Sequence, residues 1–147
     1  MRLERSIVIG RPCAEVFAFV SDPANLPSWQ PSVLEVARSD GPIGIGSTFT
    51  ETRHLGPLHT TATVEVTAFE QGRVFDLRAT GGPMPVEIRH AFAEAAGTTT
   101  LTLTVEASPR GAMRLAAGAI AKTVEHTAEA DLARLKALLE RDGPAAG

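Results

Sequence analysis

The chain has 147 residues, of which 44% are apolar and 21% charged, and its net charge is -3. This length suits one ordinary domain and this composition is typical of a globular protein, so we expect a single domain over residues 1–147. The net charge provides no large basic field for phosphates, which argues against nucleic acid as a partner. Because Cys13 is the only cysteine, an internal disulfide is excluded.

The sequence also gives expectations for the location of the protein, the extent of its ordered core and its oligomeric state. The N-terminus has no apolar run of signal-peptide length, and nowhere do about eighteen apolar residues follow one another. We therefore expect a cytoplasmic protein without stable membrane insertion. An ordered core is expected over about residues 1–141 and a flexible tail over residues 142–147. The oligomeric state stays open, with a homodimer among the options.

The first part of the chain predicts a strand, a short helix and a proline-rich turn. Leu3–Ile9 has the pattern of a strand, and Val16, Phe17 and Val20 then recur at helical spacing after a proline. The following segment carries three prolines and several capping residues. It predicts a turn with a short helical piece around residues 23–26.

About seventy residues of strand pattern follow. Their apolar residues alternate with threonines and charged residues, so one sheet face is apolar, and Ala62, Val64, Val66 and Ala68 are assigned to it. Glycine and proline separate the runs at close spacing, which predicts a meander of antiparallel hairpins. The strands are expected near residues 33–39, 47–55, 58–69, 73–80, 85–94 and 98–107.

The last segment predicts one long amphipathic helix. From Pro109 to about Arg141, apolar residues recur at steps of three and four without an internal proline. The N-terminal half is rich in alanine and glycine, whereas the leucines of the C-terminal half require a packed core. The predicted fold is α+β of the helix-grip kind, in which a curved antiparallel sheet of about seven strands wraps around the long C-terminal helix, with short helices after the first strand.

Several sequence stretches carry a resemblance to a known family. A-E-V-F-A-F-V and S-D-P-A-N-L-P-S-W-Q-P are followed by G-I-G-S-T-F-T-E-T and by T-T-L-T-L-T-V-E before the long helix. In this order they resemble the START-like (Bet v 1-like, SRPBCC) superfamily, especially its polyketide cyclase/dehydrase branch, over nearly the whole chain. The resemblance implies a cavity between the helix and the concave sheet. Members include lipid and hormone carriers, aromatic cyclases and co-chaperone domains, so it leaves the activity open.

Strand parity makes His90 the first candidate for a polar group in that cavity. It shares the parity of Val86, Ile88 and Phe92, so the four side chains point to the same face. Two interpretations stay open. His90 either orients a polar ligand group or moves a proton, or it is a core histidine bonded to the backbone.

The hairpin after residue 47 supplies two further candidates. A tight turn at residues 55–58 would pair Glu51 with Ala62 and place Glu51 and Arg53 on the inward face. The alternative is a slip or bulge that puts both side chains in solvent. In the first case Glu51, like His90, is a candidate catalytic acid or base.

Other polar residues are weaker candidates. His126 lies opposite the apolar stripe of the long helix and is expected in solvent. His54 and His59 face outward on one hairpin without a third ligand, so no metal is expected. Asp131 and Thr127 fall within the stripe and are secondary candidates for an inward polar group, although an aspartate at a helix edge more commonly reaches water.

Two remaining features have mixed interpretations. Trp29, the only tryptophan, either lines the cavity mouth or packs beneath a loop. The segment 41–46 is interpreted as a flexible link, because it lacks the glycine order of a phosphate loop. With no G-x-S-x-G, H-E-x-x-H or Walker sequence in the chain, no cofactor is expected.

Three functions are therefore compared. The leading hypothesis is binding of a hydrophobic or aromatic small molecule, lipid or polyketide-like, in the internal cavity. The alternatives are a cyclase or dehydrase that uses a cavity acid/base, and a co-chaperone-like interaction domain with a filled core and an exposed apolar patch. The expected ligand contacts are Phe17, Trp29, Phe49, Arg53, Phe75, His90, Phe92, Met113, Ala117 and Ile120.

Overall fold

The computed structural model describes residues 1–38, 41–55, 57–81 and 84–141. The predicted flexible tail 142–147 lies outside these residues, as do Ser39 at the end of a predicted strand and Gly56 in the predicted hairpin turn. The described part contains the strands β1 (Arg2–Ile9), β2 (Val33–Arg38), β3 (Thr48–Leu55), β4 (Leu58–Glu70), β5 (Val74–Thr80), β6 (Val86–Ala95) and β7 (Thr98–Ala107). Its helices are α1 (Cys13–Val20), α2 (Leu26–Trp29) and α3 (Ala117–Arg141), and the 3-10 segments Pro23–Asn25 and Gly111–Ala116 precede α2 and α3.

The strands form one curved sheet with the order β1-β7-β6-β5-β4-β3-β2, and every neighbouring pair is antiparallel. Consecutive strands from β2 to β7 are neighbours, as the close spacing of turns predicts. The chain closes the order by placing β1 beside β7, so β1 and β2 are the two edges. The predicted helix-grip fold is confirmed.

Polar contacts fasten α3 along the edge strand β1. Arg5 lies 2.5 Å from Glu125 and 3.0 Å from Glu129, and the backbone N–H of Gly10 donates to Glu140 over 2.8 Å. The ammonium group of Lys136 donates to the carbonyl of Val8 over 2.6 Å. These contacts lie along much of β1, so they hold the orientation of the helix across the sheet.

The two halves of α3 differ in burial. Leu132 and Leu135 are 3% and 0% exposed and belong to the main core. The preceding half, rich in alanine and glycine, is mostly exposed. The prediction that the leucine half packs in the core is confirmed.

The start of the C-terminal helix differs from the expected one. The sequence pattern extends back to Pro109, but residues Gly111–Ala116 adopt 3-10 geometry and the α-helix begins at Ala117. Gly111 has a φ of +57°, which lies outside the right-handed helical region. A continuous α-helix therefore cannot reach Pro109. Within the described residues, no helix is both long enough and apolar enough to span a bilayer.

A β-bulge in β4 corrects the expected position of Ala68. The pairing with β5 shifts just before Ala68, which then lies opposite Asp76, while Phe69 lies opposite Phe75. The ring of Phe69 contacts that of Phe17 edge-on, with centroids 5.3 Å apart. The assignment of Ala68 to the apolar face is wrong because the extra residue of a bulge reverses the alternation after it.

Candidate functional site

A pocket of about 380 Å³ lies between the sheet and α3. Its walls come from β3 to β7, from the middle of α3 and from the segment around α2. The apolar part of the wall includes Val64, Leu77, Ile88, Leu103, Val124 and Ala128. A curved sheet cannot touch a straight helix along its whole width, so the space left between them is a consequence of the fold.

The register of the β3–β4 hairpin brings two predicted polar residues into the wall. Glu51 pairs with Ala62 and Phe49 with Val64, as the assumed tight turn requires. Glu51, Arg53 and Phe49 all line the pocket. The alternative, in which a slip moves Glu51 and Arg53 to solvent, is excluded by this register.

Arg53 and Glu51 form a shielded ion pair at one end of the pocket. Nη2 of Arg53 donates to Oε1 of Glu51 over 3.0 Å and to Oε1 of Gln30 over 3.2 Å. Glu51 is 8% exposed, and the ion pair with Arg53 offsets part of the cost of shielding its carboxylate from water. Within the described residues, the other N–H groups of the guanidinium form no hydrogen bond, and they are available to a ligand.

Asp131 of α3 belongs to the same polar end. It is 8% exposed, lines the pocket, and accepts a hydrogen bond from Nη1 of Arg134 over 3.3 Å. The same Nη1 donates to the carbonyl of Trp29 over 3.4 Å. Burial raises the pKa of Asp131 to about 6, against the opposing charges of Arg134 and Arg53. Asp131 is therefore largely shielded from water, unlike most aspartates at a helix edge.

His90 lines another part of the pocket in a neutral form. It is 3% exposed, and its Nδ1 lies 2.8 Å from the carbonyl oxygen of Phe75. Burial lowers the pKa of His90 to about 4, although the hydrogen bond to Phe75 acts in the opposite direction. Since a carbonyl only accepts, the proton of the neutral ring sits on Nδ1, and Nε2 keeps a lone pair. His90 therefore has the backbone bond of a core histidine and also borders the pocket, and a role in orienting a ligand or moving a proton stays a prediction.

Two buried polar atoms in the pocket wall lack a partner. The Nε1 atom of Trp29 and the Oγ atom of Ser32 are shielded from solvent and have no hydrogen bond in the described part of the chain. Trp29 is 1% exposed, so it both packs beneath the loop and lines the pocket. Sequence reasoning missed Ser32 and Gln30, because they follow α2 in a stretch where no strand or helix period indicates a direction.

The predicted ligand contacts divide into two groups. Trp29, Phe49, Arg53, Phe75 and His90 line the pocket, together with the secondary candidates Thr127 and Asp131.

Five other predicted contacts lie outside the pocket wall. Phe17 and Phe92 are 0% and 6% exposed and pack edge to face in the core, with ring centroids 5.2 Å apart. Met113 in the 3-10 segment and Ala117 and Ile120 at the start of α3 are half-buried. A role for these five in ligand binding stays a prediction.

The remaining histidines are exposed. His126 lies on the outside of α3, as expected, and His54 and His59 are cross-strand neighbours, of which His54 also borders the pocket. Among the described residues, no three histidine, cysteine, aspartate or glutamate side chains are grouped closely enough to hold a metal ion.

The protein is a helix-grip domain with a pocket between its sheet and its long helix. A family profile described as "Polyketide cyclase / dehydrase and lipid transport" matches residues 1–140. The chain therefore belongs to this family, and the resemblance to the SRPBCC superfamily is confirmed. No curated protein matches the sequence significantly.

Solved structures with the same fold include an aromatase/cyclase. The Zhui aromatase/cyclase from Streptomyces sp. R1128 is 21% identical, with a TM-score of 0.83 over 100% of this chain and 98% of the other. TTHA0849 from Thermus thermophilus is 14% identical, with a TM-score of 0.82 over 97% and 100%. Ara h 8.0201 is 14% identical, with a TM-score of 0.70 over 94% and 96%. At these identities the likeness shows the fold alone.

Proposed function

We propose that the pocket binds a hydrophobic or aromatic small molecule, lipid or polyketide-like, and that its polar end holds the ligand's polar group. The supporting observation is the contrast within one pocket, where an extended apolar wall ends at Arg53, Glu51 and Asp131. Its volume of about 380 Å³ lies within the range of small-molecule sites, roughly 300–1,000 Å³. Affinity comes mainly from burial of apolar ligand surface, at about 25 cal/mol per Å².

The charges at the polar end favour a ligand whose polar group is neutral. Arg53 and Arg134 supply two positive charges, and Glu51 and Asp131 supply two negative charges when both are ionised. A ligand carboxylate would add an unpaired charge to this balanced set, which is costly in a shielded site. A hydroxyl or carbonyl group needs only hydrogen bonds, and Arg53 has N–H groups available for them.

The test is native mass spectrometry of the protein as purified from cells, followed by extraction of any bound molecule. Ala62→Trp fills the pocket from β4, since Ala62 lines it opposite Glu51. Ala91→Trp is the matched control, because Ala91 is exposed on the same sheet and is not part of the wall. A hydrophobic molecule kept by the wild type and the control but lost in Ala62→Trp supports the proposal. If none of the three binds a molecule from cells or from a lipid and polyketide panel, the proposal is wrong.

A second candidate function is a cyclase or dehydrase that uses acid/base groups of the pocket. The observation in its favour is that Asp131, with its pKa raised to about 6, borders the same pocket as the lone pair of His90. In an intramolecular aldol closure, a base takes the proton next to one carbonyl, the new carbon–carbon bond forms at a second carbonyl, and an acid protonates its oxygen. Loss of water then takes a further proton and the hydroxyl group.

This candidate has a separate test. A linear polyketone mimic is incubated with the wild type and with Asp131→Asn, and the products are followed by liquid chromatography and mass spectrometry. Cyclisation above the buffer rate that drops at least about tenfold in the variant, with ligand uptake retained, supports catalysis. Uptake without accelerated cyclisation leaves binding as the function. The interaction-domain alternative expects a filled core, and the pocket argues against it.

A further inference from the structure

Residues 108–124 form a cationic segment between β7 and the second turn of α3. The segment contains Arg110, Arg114 and Lys122 and no aspartate or glutamate, so its charge is +3 in a chain whose net charge is -3. The local charge is thus opposite in sign to that of the protein as a whole. A positive surface on an otherwise negative protein directs that side toward an anionic partner.

The three cations of the segment do not hold the fold together. Arg110, Arg114 and Lys122 are exposed, and none of them forms an ion pair or a side-chain hydrogen bond within the described residues. Further along the same helix the charges are paired, for example where Glu125 and Glu129 meet Arg5. The segment therefore presents three unused positive charges.

A large apolar side chain projects from the same segment. Leu115 is 93% exposed, more than Ile45 at 71% or Leu58 at 66%, and it is adjacent in sequence to Arg114. Its small neighbours Ala112 and Ala116 are also exposed. A single exposed leucine is ordinary on a protein surface, but one next in sequence to an unpaired arginine, in a segment without acidic residues, matches the composition of surfaces that bind the lipid interface.

The cationic segment is continuous with the pocket. Its last residues, Thr123 and Val124, line the pocket wall. A surface that holds the segment would therefore lie next to a part of the chain that borders the pocket.

We infer that the cationic segment docks the protein reversibly onto an anionic lipid surface. Each cation near such a surface strengthens binding about fivefold, and Leu115 adds apolar burial at the headgroup boundary. A second copy of the chain is a poor occupant, because a symmetric pair would oppose like charges. An acidic protein fits less well, because protein interfaces bury a cluster of large apolar anchors, whereas here one leucine projects among alanines.

The experiment is flotation of the full-length protein with vesicles of phosphatidylcholine alone and with vesicles that also contain phosphatidylserine. The expected result is binding to the anionic vesicles that weakens as salt is raised. Arg110→Gln with Arg114→Gln lowers the partition coefficient about 25-fold, and Leu115→Ser lowers it about tenfold. The charge control is Arg73→Gln with Arg89→Gln, two exposed cations of the β4–β5 turn and β6, and the apolar control is Val8→Ser.

The outcomes separate this inference from its competitors. Equal binding to both vesicle types, no binding to either, or loss of binding in the control variants to the same degree would overturn it. Retention on immobilised polyglutamate without binding to anionic vesicles would assign the surface to an acidic protein and also overturn it. Ligand uptake measured on the same variants stays unchanged, because the substituted residues do not line the pocket, so a failure here is distinct from a failure of the proposed function.

Discussion

His90 and Phe75 are opposite each other on neighbouring strands, and the imidazole Nδ1 of His90 lies 2.8 Å from the carbonyl oxygen of Phe75. Their rings are 5.7 Å apart between centroids. This contact places the proton of the neutral ring on Nδ1 and leaves Nε2 with a lone pair that can accept a hydrogen bond. The histidine is consequently a neutral hydrogen-bond acceptor in the pocket wall at neutral pH, because burial lowers its pKa to about 4.

The first prediction follows from the lowered pKa of His90. The unfolded chain binds a proton near pH 6.5, whereas the folded chain does so only near pH 4. The stability contributed by the neutral ring is thus present above pH 6.5 and is lost as the pH falls toward 4, by up to about 3 kcal/mol. In urea titrations, the difference between wild type and His90→Gln should shrink over this range. A difference that stays constant with pH would contradict the assignment of a buried neutral imidazole.

The raised pKa of Asp131 predicts a pH dependence of stability that is opposite in sign to that of His90. Burial raises its pKa from 3.8 to about 6, so the folded state binds the proton more tightly than the unfolded state. Stability from this group is present below pH 3.8 and is lost as the pH rises to 6, again by up to about 3 kcal/mol. Relative to wild type, Asp131→Asn should therefore gain stability across that window. Ala130→Asn, a change on an exposed face of the same helix that removes no titrating group, is the control and should show no such window.

The ion pair of Arg53 and Glu51 predicts a non-additive pair of substitutions. Arg53→Met leaves the carboxylate of Glu51 shielded without its partner and should lower the free energy of unfolding by about 2 kcal/mol. Glu51→Gln combined with Arg53→Met removes both charges and should recover at least half of that loss. Chemical denaturation of the two single variants and the double variant measures the coupling. Additive losses would mean that the two side chains do not depend on each other.

The bulge in β4 predicts that Phe69 contributes more to stability than its neighbour Ala68. Phe69→Ala removes an edge-to-face contact with Phe17 and should cost about 2 kcal/mol of stability. Ala68→Ser, on the face that Asp76 shares, should change stability by less than about 0.5 kcal/mol. Thermal unfolding of both variants distinguishes this from uninterrupted alternation, which predicts the larger cost at Ala68.

The fold was predictable because its signals are local and repeated. Most strands and the two longer helices show their own period, the turns have their own glycines and prolines, and strand parity mostly separates an apolar from a polar face. Even the pairing of Glu51 with Ala62 followed from the length of one hairpin turn. Parity failed at the bulge before Ala68, where the alternation of the strand is broken.

The polar end of the pocket was only partly predictable. Glu51, Arg53 and His90 were found by parity, and Asp131 was placed on the inward stripe of the helix. Asp131 is buried beside Arg134, which contacts the carbonyl of Trp29. This arrangement depends on how α2 packs against α3, and the two helices are separated by about a hundred positions in the chain. Ser32 and Gln30 gave no signal because they lie in irregular chain.

The sequence by itself determined the helix-grip fold, the family and the apolar face of the sheet, since each depends on patterns that recur within about ten residues. Only the tertiary structure decided which polar groups share the pocket and which predicted contacts, such as Phe17 and Phe92, are filled core instead. It also decided the burial that raises the pKa of Asp131 and lowers the pKa of His90. The physical reason is that burial and charge pairing arise where segments distant in the chain pack together. The local spacing of apolar residues does not determine how closely such segments approach each other.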